Sequence, residues 1–72
     1  MNNKEMNMLI KLNEVRARTG LSRSSIYAFI DKGTFPAQVK LGERSVAWVD
    51  SEIEGWVESK MLARDAANSS TY

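Results

Sequence analysis

The stretch LSRSSIYAFIDKGTFP, residues 21–36, decides the fold of this 72-residue chain because it contains signals for both ends of a short helix. Ser22 is a favourable N-cap, since its hydroxyl can accept a hydrogen bond from a backbone N–H two or three residues further on. Gly33 can adopt the left-handed conformation that ends a helix, and Pro36 prevents the helix from continuing. The stretch therefore predicts a helix of about ten residues.

This predicted helix has two different faces. Ile26, Phe29 and Ile30 recur at helical spacing and form an apolar stripe that must pack on other elements. The opposite face is short, hydroxyl-rich and carries one arginine. The residues on that face are Ser24, Ala28 and Asp31, and those on its flanks are Arg23, Ser25 and Tyr27.

A second helix is predicted immediately before this one, over residues 13–19. Asn13 is a plausible N-cap, and the charge of Glu14 suits the first turn of a helix. Gly20 supplies a tight turn between the two helices, which predicts a helix-turn-helix. Upstream of it, Leu9 and Ile10 are interpreted as a short strand or a docking segment.

After Pro36 the apolar residues alternate, which is typical of strands. Val39 and Leu41 alternate with polar residues, a loop containing Gly42 follows, and residues 45–49 resume with β-branched and aromatic side chains. Two strands around such a loop predict a hairpin. Lys40 and Arg44 make its tip basic.

The last predicted helix begins at Asp50 or Ser51 and ends near Ala63, where the apolar stripe stops. Beyond that point the sequence is small and polar, which predicts a frayed end. The predicted organisation is a flexible N-terminal arm over residues 1–8, a winged helix-turn-helix domain over 9–63 and a disordered C-terminal tail over 64–72.

The apolar pattern predicts a core of twelve side chains, including both tryptophans, which we assign to packing rather than to stacking on single-stranded nucleic acid. The predicted core residues are Leu12, Val15, Leu21, Ile26, Phe29, Ile30, Val39, Leu41, Trp48, Ile53, Trp56 and Val57.

The composition argues against several classes of function. The chain contains no cysteine and no histidine, so the soft ligands of a zinc site and the usual thiolate or imidazole of a catalytic site are absent. Helix caps and a solvated helix face account for the carboxylates of the last helix. We expect neither an enzyme nor a bound metal or other cofactor. The short apolar run at residues 8–10 is too brief for a signal peptide or a membrane span, so we expect a cytoplasmic protein without a membrane partner.

The charge is unevenly distributed although the net charge is only +1. Residues 1–44 contain eight Lys or Arg and four Asp or Glu, a net charge of +4. Residues 45–72 contain two basic and five acidic residues, a net charge of −3. A basic half on a small domain fits a polyanionic partner, whereas the acidic half offers a surface to a protein.

A helix-turn-helix followed by a basic hairpin is a winged helix, and specific motifs of this sequence are similar to those of one family. The motifs are TGLSRSSIY, the GTFP turn, VKLG followed by Arg44, and Trp48 before SEIEGW. Over residues 12–60 the chain resembles the AlpA family of small phage-derived regulators, which is related to excisionases and more distantly to the DNA-binding domain of MerR-type proteins.

The resemblance implies a mostly α fold with a small β-hairpin and a sequence-specific partner, double-stranded DNA. Members of the family activate prophage integrase genes, direct excision, or do both, and candidates for a protein partner are integrase and RNA polymerase. The second helix would enter the major groove and the hairpin wing an adjacent minor groove. The implied DNA-binding residues are Ser22, Arg23, Ser24, Ser25, Tyr27 and Ala28 on the helix, and Lys40, Gly42, Arg44 and Ser45 on the wing. Glu43, also on the wing, departs from the neutral residue that the family often carries there.

Each of these residues also has a purely structural interpretation. Arg23 is expected to read guanine because it lies in the first helical turn, although a solvated surface arginine fits the same position. Tyr27 lies off the apolar stripe, so a phosphate contact through its hydroxyl is favoured over burial. A domain this small buries little surface, so we expect a monomer in solution that binds DNA in several cooperating copies. The alternative function is a protein-interaction module that inhibits a response regulator or an integrase.

Overall fold

The computed structural model describes residues 8–71 of the chain, with side chains described over residues 8–67. Three helices and three short strands occur in the order β1, α1, α2, β2, β3, α3. This mostly α architecture with a small hairpin is the predicted winged helix-turn-helix. The elements are β1 (Leu9–Ile10), α1 (Leu12–Thr19), α2 (Arg23–Asp31), β2 (Val39–Lys40), β3 (Val46–Val49) and α3 (Asp50–Thr71).

The predicted hairpin is part of a three-stranded antiparallel sheet with the strand order β1-β3-β2. On one side of β3, Ile10 lies opposite Trp48, and on the other side Val39 lies opposite Ala47. The segment before α1 is therefore a strand. Met8, which the predicted N-terminal arm includes, accepts a hydrogen bond at its carbonyl from the Asp50 N–H at 2.7 Å. The rest of that arm, residues 1–7, lies outside the described residues and stays a prediction.

The core lies between the helices and one face of the sheet. Trp48, Ile26, Ile53 and Val15 are its largest fully buried side chains, and all four were predicted. Leu12, Leu21, Phe29, Ile30 and Trp56 pack against this cluster while remaining partly exposed.

Two predicted core residues, Val39 and Leu41, are exposed, and Val57 is only partly buried. Val39 and Leu41 are 37% and 49% exposed, because β2 has only two residues and lies at the sheet edge. Ala47, directly opposite Val39 on the same sheet face, is buried, so the exposure of Val39 follows from its position at the edge. Alternation alone does not reveal which strand lies at the edge of a sheet.

Three buried residues were missing from the predicted core: Ile10, Phe35 and Ala47. Phe35 belongs to the GTFP turn, where no helical or strand period marks it as apolar core. Its ring packs edge-on against Trp56, with centroids 4.9 Å apart. The turn after α2 therefore contributes to the core as well as reversing the chain.

Helix α1 begins one residue before the predicted range, and Asn13 is not its cap. The N-cap position is Lys11, whose side chain forms no capping hydrogen bond, and its carbonyl accepts the N–H groups of Glu14 and Val15 at 3.0 Å. Pairing of β1 and packing of Leu12 against the core fix the chain before Asn13, so tertiary contacts determine where the helix starts.

Helix α3 continues to Thr71, whereas the sequence predicts an end near Ala63 and a disordered tail over residues 64–72. The apolar stripe does stop: Met61 and Leu62 are already exposed, and so are the side chains from there to residue 67. The extension contains Ala63, Ala66 and Ala67, and alanine has the highest intrinsic helix propensity. The absence of an apolar stripe therefore did not mark the helix end.

Candidate nucleic-acid interface

Helix α2 is capped at its start as the sequence predicts. Gly20 adopts the left-handed conformation with φ 75° and redirects the chain out of α1. Two residues later the Ser22 hydroxyl accepts the Ser25 N–H at 3.1 Å and lies 3.1 Å from the Ser25 hydroxyl. These bonds satisfy an amide that would otherwise lack a partner, and they fix the direction in which the first turn of α2 projects.

The end of α2 is closed by a Schellman motif. Gly33 has φ 79°, its N–H donates to the Ile30 carbonyl, and the Thr34 N–H donates to the Phe29 carbonyl, both at 2.9 Å. The Thr34 hydroxyl donates to the same Phe29 carbonyl at 3.2 Å. With both ends fixed, α2 is a rigid element on which exposed side chains have defined positions.

The first turn of α2 is open to solvent. Ser22, Arg23, Ser24 and Ala28 are exposed, whereas Ser25 and Tyr27 are half-buried. Six predicted site residues therefore lie along one short helix, and four of them are accessible.

Tyr27 is more involved in packing than the sequence predicts. Its ring meets Trp48 edge-on, with centroids 6.1 Å apart, and it packs against the buried core. The guanidinium carbon of Arg23 lies over the same ring, 5.6 Å from its centroid. Tyr27 thus links the exposed arginine to the core.

The wing is formed by β2, β3 and the loop between them. The loop is closed by the Ser45 carbonyl, which accepts the N–H groups of Leu41 at 2.7 Å and Gly42 at 3.2 Å. Gly42 does not adopt the left-handed conformation, so its φ does not require a glycine. The predicted wing residues Lys40, Gly42 and Arg44 are exposed together with the acidic Glu43, and Ser45 is half-buried.

One cation beside the wing was not predicted as a site residue. The Lys11 ammonium donates to the Ser45 hydroxyl at 2.9 Å, so it lies at the base of the wing although 34 residues separate the two in sequence. No sequence signal marks Lys11, because its position depends on how β1 pairs with β3. The wing therefore carries Lys40 and Arg44 and has Lys11 at its base.

The arginines of the basic half differ in their partners. Arg18 donates to Glu14 at 3.1 Å and also contacts Asp50, which joins α1 to α3. Two hydrogen bonds raise the pKa of the Arg18 guanidinium, and the bond to Glu14 has a larger effect than the bond to Asp50. By contrast, Arg23, Lys40 and Arg44 form no ion pair with any carboxylate of residues 8–67. The cations on α2 and the wing keep their charge available for a ligand.

Residues 8–71 were compared with the requirements of a membrane span and of a metal site. Nowhere in residues 8–71 does a helix combine the length and apolarity needed to cross a membrane. Among the side chains that the structure describes, no three acidic residues gather as metal ligands would. Trp48 is fully buried, and its indole N–H donates to the Pro36 carbonyl at 3.1 Å, so it is a packing residue as predicted.

The short helix-turn-helix, the three-stranded sheet and the exposed basic wing define a winged helix-turn-helix protein. Comparison with known families agrees with this class. Residues 8–61 match the family model described as "Prophage CP4-57 regulatory protein (AlpA)", which covers well over half of the chain. The chain belongs to the AlpA family.

Two relatives are similar over most of this chain. An uncharacterized protein, ORF88, of Enterobacteria phage P4 is 46% identical over 55 residues, which cover 76% of this chain and 62% of the phage protein. The DNA-binding transcriptional activator AlpA of Escherichia coli K12 is 32% identical over 66 residues, which cover 83% of this chain and 94% of the relative. This chain thus spans less than two thirds of the phage protein and nearly all of the bacterial one.

Proposed function

We propose that this protein is a prophage-type regulator that binds double-stranded DNA in a sequence-specific manner and acts as a transcriptional activator, an excision factor or both. In this proposal α2 lies in the major groove and the wing reaches an adjacent minor groove. The observation that carries the proposal is the similarity over 83% of the chain to a relative described as a DNA-binding transcriptional activator. The accessible, unpaired cations on α2 and the wing support it.

The proposed roles follow from the position of each side chain. Arg23 is in the first turn of α2, the part of a helix-turn-helix that reaches base edges, and its guanidinium can donate two hydrogen bonds to one guanine. Ser24 and Ser25 are placed to contact bases or phosphates. The Tyr27 hydroxyl is assigned to a phosphate. Ser22 is first a cap, and Ala28 contributes apolar contact in the groove.

The wing is assigned a mainly electrostatic role. Arg44 and Lys40 are exposed on a short hairpin, and cations there are attracted to the negative potential of a narrow minor groove. Gly42 and Ser45 allow the loop backbone to approach the DNA. Glu43 is exposed between these residues and must point away from the phosphates for the wing to bind.

A single copy offers only one short helix and one wing, so its affinity for one site is expected to be low. We therefore propose a monomer in solution that binds repeated sites cooperatively, in the cytoplasm, with integrase or RNA polymerase as protein partners. The sign of regulation depends on where those sites lie.

The test is fluorescence anisotropy of the purified protein with duplexes from its own promoter region and from the neighbouring attachment site. Random duplex competitor is added, and the titration is repeated at several salt concentrations. The expected result is a preference for one fragment, with log K falling by about 0.9 per phosphate neutralised as log salt rises. The fragment that binds better indicates regulation or excision.

The alternative, a protein-interaction module, is favoured by one observation: Glu52, Glu54 and Glu58 are all exposed on α3. Binding to a protein through these carboxylates would not follow the phosphate-by-phosphate salt dependence. Weak binding that is equal for all fragments and disappears at modest salt would contradict sequence-specific DNA binding, and a protein partner would then be sought.

A further inference from the structure

Arg23, in the first turn of α2, is connected to the core through two aromatic side chains. Trp48 is fully buried and its indole is fixed by the hydrogen bond to the Pro36 carbonyl. Tyr27 packs edge-on against Trp48, and Arg23 lies over the Tyr27 ring. The inner end of this series of contacts is buried and hydrogen-bonded, whereas its outer end is an exposed cation.

We propose, on the basis of the proposed function, that Tyr27 is a positioning residue that sets base discrimination by holding Arg23 over its ring. A free arginine side chain samples many rotamers, and ordering it on DNA opposes binding. A ring at 5.6 Å from the guanidinium carbon attracts the cation and reduces that sampling before DNA binds. The N–H donors of the guanidinium remain available to a base edge.

The sequence spacing and the burial fit this role. Arg23 and Tyr27 are four residues apart, which places them on the same side of α2. Tyr27 is half-buried and Arg23 is exposed, so the ring bridges the core and the solvent. No carboxylate of residues 8–67 forms an ion pair with Arg23. Its guanidinium instead interacts with the Tyr27 ring.

This role differs from the phosphate contact assigned to the Tyr27 hydroxyl. A hydroxyl–phosphate bond contributes equally on every DNA sequence, whereas positioning of Arg23 affects only the difference between sequences. The two roles also depend on different parts of the side chain. Tyr27→Phe removes the hydroxyl and keeps the ring, and Tyr27→Leu removes both.

The experiment uses a duplex that the wild-type protein selects from a random pool and the same duplex with its bases shuffled. The readout is the ratio of the two dissociation constants at fixed salt. We expect Tyr27→Phe to keep this ratio, although its affinity for both duplexes can fall. We expect Tyr27→Leu to lower the ratio about two- to fivefold, the size of an exposed cation–π interaction.

A double-mutant cycle with Arg23→Ala isolates the coupling. If Tyr27 acts through Arg23, Tyr27→Leu changes the ratio in the wild-type background and leaves it unchanged in the Arg23→Ala background. An equal loss in both backgrounds, or no loss in either, overturns the inference. Circular dichroism at the working temperature establishes that each variant is folded. Should Tyr27→Leu unfold, Tyr27→Met, whose thioether can pack on Trp48, takes its place.

Failure of the proposed function has a different signature. A wild-type protein that enriches no sequence from the pool overturns sequence-specific binding, and the positioning role falls with it. A wild-type protein that discriminates, with a Tyr27→Leu variant that discriminates equally well, overturns the positioning role alone.

Discussion

Helix α2 and the wing carry the two halves of the candidate interface, and they are held in very different ways. Helix α2 is capped by Ser22, closed by a Schellman motif and anchored through buried Ile26. The exposed part of the wing consists of the two-residue edge strand β2 and the loop to β3, and the hydrogen bonds of this loop are made to Ser45. The exposed side chains of α2 therefore have defined positions, whereas those of the wing rest on few contacts.

This difference indicates a division of labour. Reading a base edge requires a donor placed to within a fraction of an ångström, which a fixed helix can provide. Attraction to phosphates requires only charge near the backbone and tolerates an adaptable loop. We therefore assign discrimination to α2 and sequence-independent affinity to the wing.

The largest effect on stability is expected when the buried side chain that packs beneath α2 is removed. Trp48→Ala leaves a cavity beneath Tyr27 and is expected to lower the free energy of unfolding by about 3–5 kcal/mol. This is a large part of the total stability of a small domain, so much of the protein should unfold. Urea denaturation followed by circular dichroism measures it. Trp56→Ala is the matched control, since Trp56 is only partly buried, and a larger loss there would contradict the account.

A smaller effect is expected at the cap of α2. Ser22→Ala removes the acceptor of the Ser25 N–H and should cost about 1 kcal/mol of unfolding free energy. Ser24→Ala is the matched control, because Ser24 is exposed in the same turn and does not cap the helix. Thermal denaturation compares the two. Equal melting temperatures would show that the cap does not fix α2.

The smallest effect is expected on the wing. Leu41→Ser should change the unfolding free energy by no more than about 0.5 kcal/mol, because Leu41 is 49% exposed and surface substitutions have small effects. The measurement is the same urea titration, with Val15→Ala as a buried reference. A loss at Leu41 comparable to that at Val15 would mean that the wing is packed as firmly as α2.

The contrast between α2 and the wing also separates the features that the sequence predicted from those that it did not. The cap at Ser22, the turns at Gly20 and Gly33 and the burial of Ile26 depend on residues within a few positions of one another, so local rules predicted them. Exposure of Val39 and the contact between Lys11 and Ser45 depend on strand pairing across the sheet, which a single sequence does not reveal. The local part of the candidate interface was therefore predictable, and the way the wing joins the body was not.

The start of α1 and the end of α3 both differ from the positions that local sequence signals predicted. Asn13 looked like a cap, but packing of Leu12 and pairing of β1 placed the start of α1 earlier. The loss of an apolar stripe near Ala63 looked like the end of α3, but the helix continues through Ala66 and Ala67 to Thr71. In the first case tertiary contacts prevailed over a local signal, and in the second the helix did not need an apolar stripe to continue.

The division of labour between α2 and the wing is tested most directly by comparing Arg23→Ala with Lys40→Ala on a selected duplex and on its shuffled counterpart across a salt series. The account predicts that Arg23→Ala lowers discrimination by about 1–3 kcal/mol, the value of one bidentate base contact. Lys40→Ala should weaken binding to both duplexes equally and reduce the slope of log K against log salt by about one. Equal losses of discrimination in the two variants would contradict the account.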